Sequence, residues 1–538
     1  MAEDVFWADK LAKEIAERKR FQYIDKPAPQ FKEFVVKTSA SLSGVLHIGR
    51  LSDTIRSESA VRALLDAGHK AKLIWVAEDM DPLRKVPKGV PEKYSEYIGM
   101  PVTDIPDPWG CHESYAEHHV SEYFKVLDRF VAVKMTKYST REEYKKGSFK
   151  PYIKLLLERM ETVKEIQNRF REEPLPKNWS PWKPVCENCG KIITTNVTRF
   201  EDGKAHYKCE DYKFEKTVAK GCGHEGVNDP LKGNGKMLWK GEWAAQWALW
   251  KIVAEGAGKE YQVPGSAFWI NAEITEKIFD YPAPFPIFYE HLFIDNQKMS
   301  ASLGNVVYPS QWLEVARAEL LRFFYNKKLM KARSFSWKDL SRLYDEYDDH
   351  EKVFFGEKTV ANEKESLHMK RLFAISQLAG PGKYTERVPY HFAGFVGEIA
   401  KDKTAVLEIL KSTGHIKGKP TKEQTGEILE RVALGQKWIE KYAPEEFKIT
   451  VNGTVPAVEL SVAQKAALKE LGGKIAGAKN ADELVNLFAE LAQKHKLSAQ
   501  DFYKACYLVL ISRERGPRLA PFILAIGKEK VTKLLRQI

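Results

Sequence analysis

The sequence predicts an α/β protein in which a doubly wound parallel sheet carries a cysteine- and histidine-rich insertion and is followed by an all-α C-terminal half. Three observations predict it. A strand, a helix and a second strand follow one another between residues 31 and 78. Strand and helix signals return between Trp243 and Asp295, and from Asn305 onward the apolar period is almost entirely helical.

The chain opens with "MAEDVFWADKLAKEIAERKRF", an amphipathic helical pattern without the basic start, apolar middle and small-residue cleavage site of an export signal. "FKEFVVKTS", from Phe31 to Ser39, holds a β-branched and aromatic run that reads as a buried strand. Ile48, Leu51, Ile55, Ala60, Val61, Leu64 and Leu65 then recur at helical spacing until Gly68 stops them, and "KAKLIWVAE" is the second buried strand. The first turn of such a unit is where a doubly wound sheet binds nucleotides. From about Pro91 to Gly241 the pattern loosens around one helix, "KPYIKLLLERMETVKEIQNRF". "WAAQWALWKIVA" follows as a helix and "PIFYEHLFID" as the strand that closes the sheet. Beyond lie the helix "QWLEVARAELLRFFYN", paired helices across 335–356, a charged break at "GEKTVANEKES", and helices such as "TKEQTGEILERVALGQKWIEKYA" and "SVAQKAALKEL". The expected domains are a split catalytic domain (1–90 and 240–305), an inserted region (91–239), a helical region (306–356) and an all-helical domain (357–538).

Composition narrows the function. At 538 residues the chain has room for about three or four domains. With 43% hydrophobic and 29% charged residues it is globular, and no window approaches the roughly 20-residue apolar run of a membrane span. Four of six cysteines fall between Cys186 and Cys222, which favours metal binding in a reducing compartment, so the cytoplasm is expected. A net charge of +12 suits a polyanionic partner such as RNA once another feature asks for one.

"TSASLSGVLHIGR", from Thr38 to Arg50, puts glycine between strand and helix, where backbone amides and the helix dipole face phosphate and His47 can add a hydrogen bond. Alone, the motif also fits a helix-start histidine of no consequence. Directly after a strand stands "NQKMSASLGN", from Asn296 to Asn305. There Lys298, Ser300 and Ser302 crowd a glycine-containing loop of the kind that clamps a developing pyrophosphate. Glu78, Asp79 and Asp81 at a strand's carboxyl end, with Glu242, suit a cationic substrate, although turn residues or ribose contacts fit them too. "CENCG" at Cys186 and Cys189, then Cys209 and Cys222, has the arrangement of a structural zinc ribbon, with His224 as a competing ligand. Asp107, Cys111, His112, His118 and His119 form a second cluster that reads either as a mixed zinc site or as a basic RNA-facing surface.

Ser43-Gly44-x-x-His47-Ile48-Gly49 and Lys298-Met299-Ser300-Ala301-Ser302 resemble the HIGH and KMSKS signatures of class I aminoacyl-tRNA synthetases, in the same order and with an insertion between them. "WVAEDMDPLRKVP", "DPWGCHESYAEHH", "KMLWKGEWAAQW" and the ending "RERGPRLAPFILAIGKEKVTKLL" extend the resemblance over nearly the whole chain to class I lysyl-tRNA synthetase, found mainly in archaea and some bacteria. The resemblance implies a Rossmann-like catalytic domain, an acceptor-binding zinc insertion, a stem-contact region and a helical anticodon-binding domain. In that last domain Tyr390 and Tyr442 are candidates for stacking on bases. It further implies lysine, ATP with Mg2+, and tRNA(Lys) as substrates, two Zn2+ ions, no membrane partner, and a monomer as the working expectation.

Carried over by position, His47, Lys298 and Ser300 are catalytic, and Gly44, Gly49, Arg50 and Ser302 join His47 and Lys298 around the nucleotide. Ser39, Ser41, Glu78, Asp79, Asp81, Trp239, Glu242, Trp243 and Tyr261 surround the amino acid. The first zinc falls to Asp107, Cys111, His112 and His118, the second to Cys186, Cys189, Cys209 and Cys222. Two positions depart from the usual signatures: Arg50 for histidine or asparagine, and Ala301 for a second lysine. They leave a glutamyl- or glutaminyl-type synthetase, a small-molecule nucleotidyltransferase, and a catalytically inactive RNA-binding relative as the alternatives.

Overall fold

The computed structural model describes residues 5–42, 47–87, 89–299 and 305–538. The elements of the first part are α1 (Trp7–Ala16), β1 (Phe34–Ser41), α2 (Ile48–Asp66), β2 (Ala71–Glu78), α3 (Tyr115–Leu127), β3 (Met135–Ser139) and α4 (Thr140–Lys146). After them come α5 (Lys150–Glu158), α6 (Met160–Asn168), β4 (Trp182–Pro184), β5 (Thr195–Glu201), β6 (Lys204–Cys209), β7 (Tyr212–Lys213), β8 (Val218–Ala219), β9 (Glu225–Asn228) and β10 (Gly235–Met237). Then follow α7 (Trp239–Trp250), β11 (Ile252–Gly258), α8 (Ala267–Lys277), β12 (Phe285–Tyr289), β13 (Leu292–Ile294) and β14 (Gln297–Lys298).

Five parallel strands form the main sheet in the order β12-β11-β1-β2-β3. Helices cover both faces, α2 on one and α7 with α8 on the other, which is why β1 and β2 read as nearly unbroken apolar runs. Their register sets the site: Lys37 lies beside Glu255 of β11, and Ser41 beside Glu78 of β2. Helix α2 is buried on almost every side, so its polar residues must find partners inside. Glu58, for instance, forms a fully buried ion pair with Arg322 at 2.6 Å.

Several elements differ from the sequence expectation. The helix expected over 243–254 stops at Trp250. Lys251 adopts a left-handed conformation (φ 56°) and turns the chain into β11, which sits next to the central strand. The strand expected over 286–295 is two strands, β12 in the main sheet and β13 in a small sheet with β14 and β15 (Arg333–Phe335). Strand β3, from within the 91–239 stretch, forms an edge of the main sheet. The helix expected over 150–170 breaks at Arg159 into α5 and α6. Residues 311–326 likewise divide into α9 (Pro309–Val315) and α10 (Ala318–Asn326), and the stretch 335–356 holds one α-helix, α11 (Leu340–Phe355), after a short 3-10 turn.

The chain divides into two compact units. One comprises Met1–Ser310, Leu321–Phe335 and Val360–Pro381; the other comprises Gln311–Leu320, Ser336–Thr359 and Gly382–Ile538. The second unit is helical, continuing after α12 (Glu363–Ser376) with α13 (Tyr390–Ile399), α14 (Lys403–Ser412) and α15 (Lys422–Lys441) and ending at Leu535. Helices α13 and α15 cross backbone to backbone: a Cβ on Gly394 would lie 2.6 Å from the carbonyl oxygen of Gly435. Tyr390, expected as a base-stacking residue, is fully buried there and donates its hydroxyl to the Leu434 carbonyl at 3.0 Å, so it belongs to the core. Tyr442 stacks on Trp337, with ring centroids 4.3 Å apart. Among the described residues no helix is long and apolar enough to cross a membrane.

Candidate active site

The turn after β1 begins α2 with His47 as N-cap. Its Nδ1 accepts the Gly49 backbone N–H at 3.1 Å, an arrangement open to histidine because the first helical amides have no partner within the helix. Burial, reinforced by the nearby Arg50 cation, pushes the imidazole down to about 4. With Nδ1 accepting, the neutral ring carries its proton on Nε2, a donor free to meet a phosphate oxygen.

The second signature comes to the same place. A Cβ on Gly49 would lie 2.8 Å from both the His47 ring and Cε of Met299, the residue after Lys298. The Ile48 amide donates to the Val307 carbonyl at 2.9 Å, and the Asn305 side-chain amide to the Lys298 carbonyl at 3.1 Å. Glycine at 49 thus lets the two signatures touch. Lys298, on β14, and Arg50 are exposed. Gly44, Ser300 and Ser302 lie outside the described residues.

The amino-acid candidates collect at the carboxyl end of β1, on its α7 face. Alternation puts Lys37, Ser39 and Ser41 on one side of the strand. Lys37 is fully buried, with its ammonium 2.9 Å from Glu255 and 3.5 Å from Glu78. Glu255 also accepts the indole N–H groups of Trp243, at 2.9 Å, and Trp247, and Gln246 donates to Glu78 at 2.9 Å. A second buried cation, Lys236 of β10, lies 2.8 Å from Asp81 and 2.9 Å from Glu242. The other oxygen of Glu242 accepts the Tyr144 hydroxyl at 2.5 Å. Burial drives Glu242 up to about 7 against the pull of Lys236, with Glu78 adding to the rise. For Asp81 the balance reverses: burial opposes its charge, but Lys236 holds it below the usual carboxylate range.

Trp239, 47% exposed, stacks face to face on Trp243 with centroids 5.3 Å apart, and Tyr261 meets both rings edge-on. A kink sets this stack. Gly241 has a φ of 146°, and the amides of Gly241 and Ala244 donate to the Asn271 side chain at 2.9 and 3.1 Å. Asp79 stands apart from the other acids: it accepts the Thr140 hydroxyl at 2.8 Å and the Arg141 amide at 2.9 Å, fixing the start of α4.

Four charged residues of the site were not anticipated from the sequence: Lys37, Lys236, Glu255 and Asp53. The signal for Lys37 and Glu255 was a charge inside an apolar strand. Asp53, on the α2 face, accepts the Thr38 hydroxyl and leans on Gly256, where a Cβ would lie 1.9 Å from its Oδ1. Burial raises its pKa, against hydrogen bonds from Thr38 and Tyr289.

Two metal-ligating clusters stand in the 91–239 stretch. The sulfurs of Cys186, Cys189, Cys209 and Cys222 lie within 4.8 Å of one another, a four-thiol set suited to a tetrahedral Zn2+. His224 is outside it, its ring packed near Tyr207. Asp107, Cys111, His112 and His118 likewise bring one ligand atom each within 4.8 Å. The Asp107 carboxylate organises that loop by accepting the amides of Trp109, Cys111 and His112. His119 points away, buried edge-on against Tyr115.

The family model described as tRNA synthetases class I (K) matches residues 5–379. The lysine–tRNA ligase of Methanosphaera stadtmanae is 31% identical over 98% of this chain and 99% of its own length, and that of Thermococcus kodakarensis 33% identical over 99% of both. The lysine–tRNA ligase of Pyrococcus horikoshii is 30% identical over 99% of both. A family model spanning most of the chain, with relatives that match it end to end, shows that the chain belongs to the lysine-type class I tRNA synthetases.

Proposed function

We propose that the protein attaches lysine to tRNA(Lys) in an ATP-dependent reaction through a lysyl-adenylate. The observation that carries this reading is the meeting of the two signatures at Gly49, beside a strand end lined with acids and indoles. The lysine carboxylate attacks the α-phosphorus of ATP and pyrophosphate leaves with Mg2+. The ribose hydroxyl of the terminal adenosine of tRNA then attacks the lysyl carbonyl and AMP departs. The enzyme positions the reactants and stabilises the charge that develops. His47 donates from Nε2 to a phosphate oxygen, and Lys298 with Ser300 and Ser302 neutralises the departing pyrophosphate. Gly44 and Gly49 let backbone approach the nucleotide, and Arg50 supplies the cation that Ala301 lacks.

On the other side of the strand, Ser39 and Ser41 face the amino acid and Trp239, Trp243 and Tyr261 line its aliphatic stem. Glu78, Asp81 and Glu242 set the negative field that favours an ammonium. Asp79 supports this rim from behind through α4. Residues 91–239 receive the acceptor end, 306–356 the stem and 357–538 the anticodon. The enzyme acts as a monomer in the cytoplasm.

Exchange of labelled pyrophosphate into ATP, assayed with each amino acid in the presence of tRNA, is expected with lysine alone. Exchange with glutamate, or with none, would overturn the reading. Two structural Zn2+ ions complete the proposal, one held by the four thiols and one by Asp107, Cys111, His112 and His118, each cross-linking its loop. Metal analysis is expected to return two equivalents of zinc, with one lost in Cys186→Ser and the other in His118→Ala.

A further inference from the structure

Asp81 ends the segment after β2 and Glu242 opens the aromatic helix α7, far apart in sequence yet joined by one side chain. Lys236 bridges them at 2.8 and 2.9 Å, only 11% exposed. The remaining capacity of Glu242 is largely used, since Tyr144 donates to its second oxygen and itself accepts the Met237 amide at 2.8 Å. These two carboxylates are therefore committed to an internal ammonium. A buried pair of this kind loses most when one partner is removed, because the remaining charges stay buried without compensation.

We propose that Lys236 is a positioning residue for the lysine pocket: its ammonium ties the end of the β2 segment to the start of α7 and so sets the distance between the strand-end serines and the Trp239–Trp243 wall. The proposal rests on the amino-acid pocket described above. Without Lys236, Asp81 and Glu242 repel each other and the two walls separate, which weakens lysine binding and leaves the phosphate corner at Gly49 untouched.

The test is steady-state pyrophosphate exchange with Lys236→Ala, Lys236→Arg and Trp239→Ala in the full-length enzyme. Lys236→Ala is expected to raise KM for lysine at least roughly tenfold while KM for ATP stays within about twofold. Ethylammonium, which fits the space the side chain vacates, should restore part of the loss, and Lys236→Arg should lie within about threefold of the parent. Should the alanine variant fold poorly, the same comparison is made with Lys236→Gln, whose volume is closer. Equal changes in both KM values, or an unchanged KM for lysine, would overturn the proposal. Trp239→Ala, at an exposed site that tolerates truncation, separates the two failures. If it raises KM for lysine while Lys236→Ala does not, the pocket stands and the positioning role falls. If neither variant raises it, the pocket reading falls as well.

Discussion

The two faces of β1 serve one reaction with different materials. On the α2 side, the nucleotide corner consists of a helix start, a glycine and one neutral imidazole, with its exposed cations Arg50 and Lys298 at the rim. On the α7 side, two buried lysines and four carboxylates form a continuous network under a stack of indoles. A phosphate chain brings its own charge and is met by amides that the fold already has to spare. An amino-acid pocket must instead hold fixed charges in a dry place, and those charges need counter-ions within the protein. Damage to the first face should therefore show in turnover, and damage to the second in stability and substrate affinity.

The largest expected effect that tests this contrast is Lys37→Met. It strips the cation from between Glu78 and Glu255, and urea unfolding should report a loss of about 3–5 kcal/mol. A loss under about 1 kcal/mol would mean the network is not what holds this face. Gly49→Ala comes next. Its methyl group collides with His47 and Met299, so kcat for exchange should fall roughly 100-fold, about 2.7 kcal/mol, with the melting temperature nearly unchanged. Full activity in that variant would separate the two signatures. The smallest effect is on pH dependence. Glu242, facing Lys236, Glu78 and Tyr144, sits near 7, so it is mostly protonated below that pH and ionised above it. A pocket for an ammonium gains from ionisation, and kcat/KM for lysine should rise a few-fold between pH 6 and 8, a rise that Glu242→Gln flattens. The stability sign is opposite. With the folded value above the ordinary 4.5, this carboxyl favours the folded state at low pH, and that contribution is lost as pH climbs through 7. His47, held down near 4, should add no inflection over the same range.

The parts of this molecule that were legible in the sequence are those written as local patterns. The β1-α2-β2 unit announces itself by period and by Gly68, and the four-cysteine cluster by spacing. What escaped is set by tertiary contact. Strand β11 follows α7 after a single left-handed Lys251, with no glycine or proline to mark the change, so an apolar run continues unbroken from helix into strand. Strand β3 is five residues long and mostly polar, and only its pairing with β2 identifies it. Lys37 and Glu255 look like errors in apolar strands until the register places them side by side. Tyr390 carries no mark that distinguishes a core tyrosine from one offered to a base.

The contact of Met299 with Gly49 has an evolutionary reading. Two loops separated by some 250 residues of sequence share one van der Waals boundary, so neither can drift alone: a branched side chain at 299 or any side chain at 49 requires an answering change across the gap. They are in effect a single heritable unit. Recombination or loop grafting within this family should succeed when positions 49 and 299 travel together and fail when they are drawn from different parents.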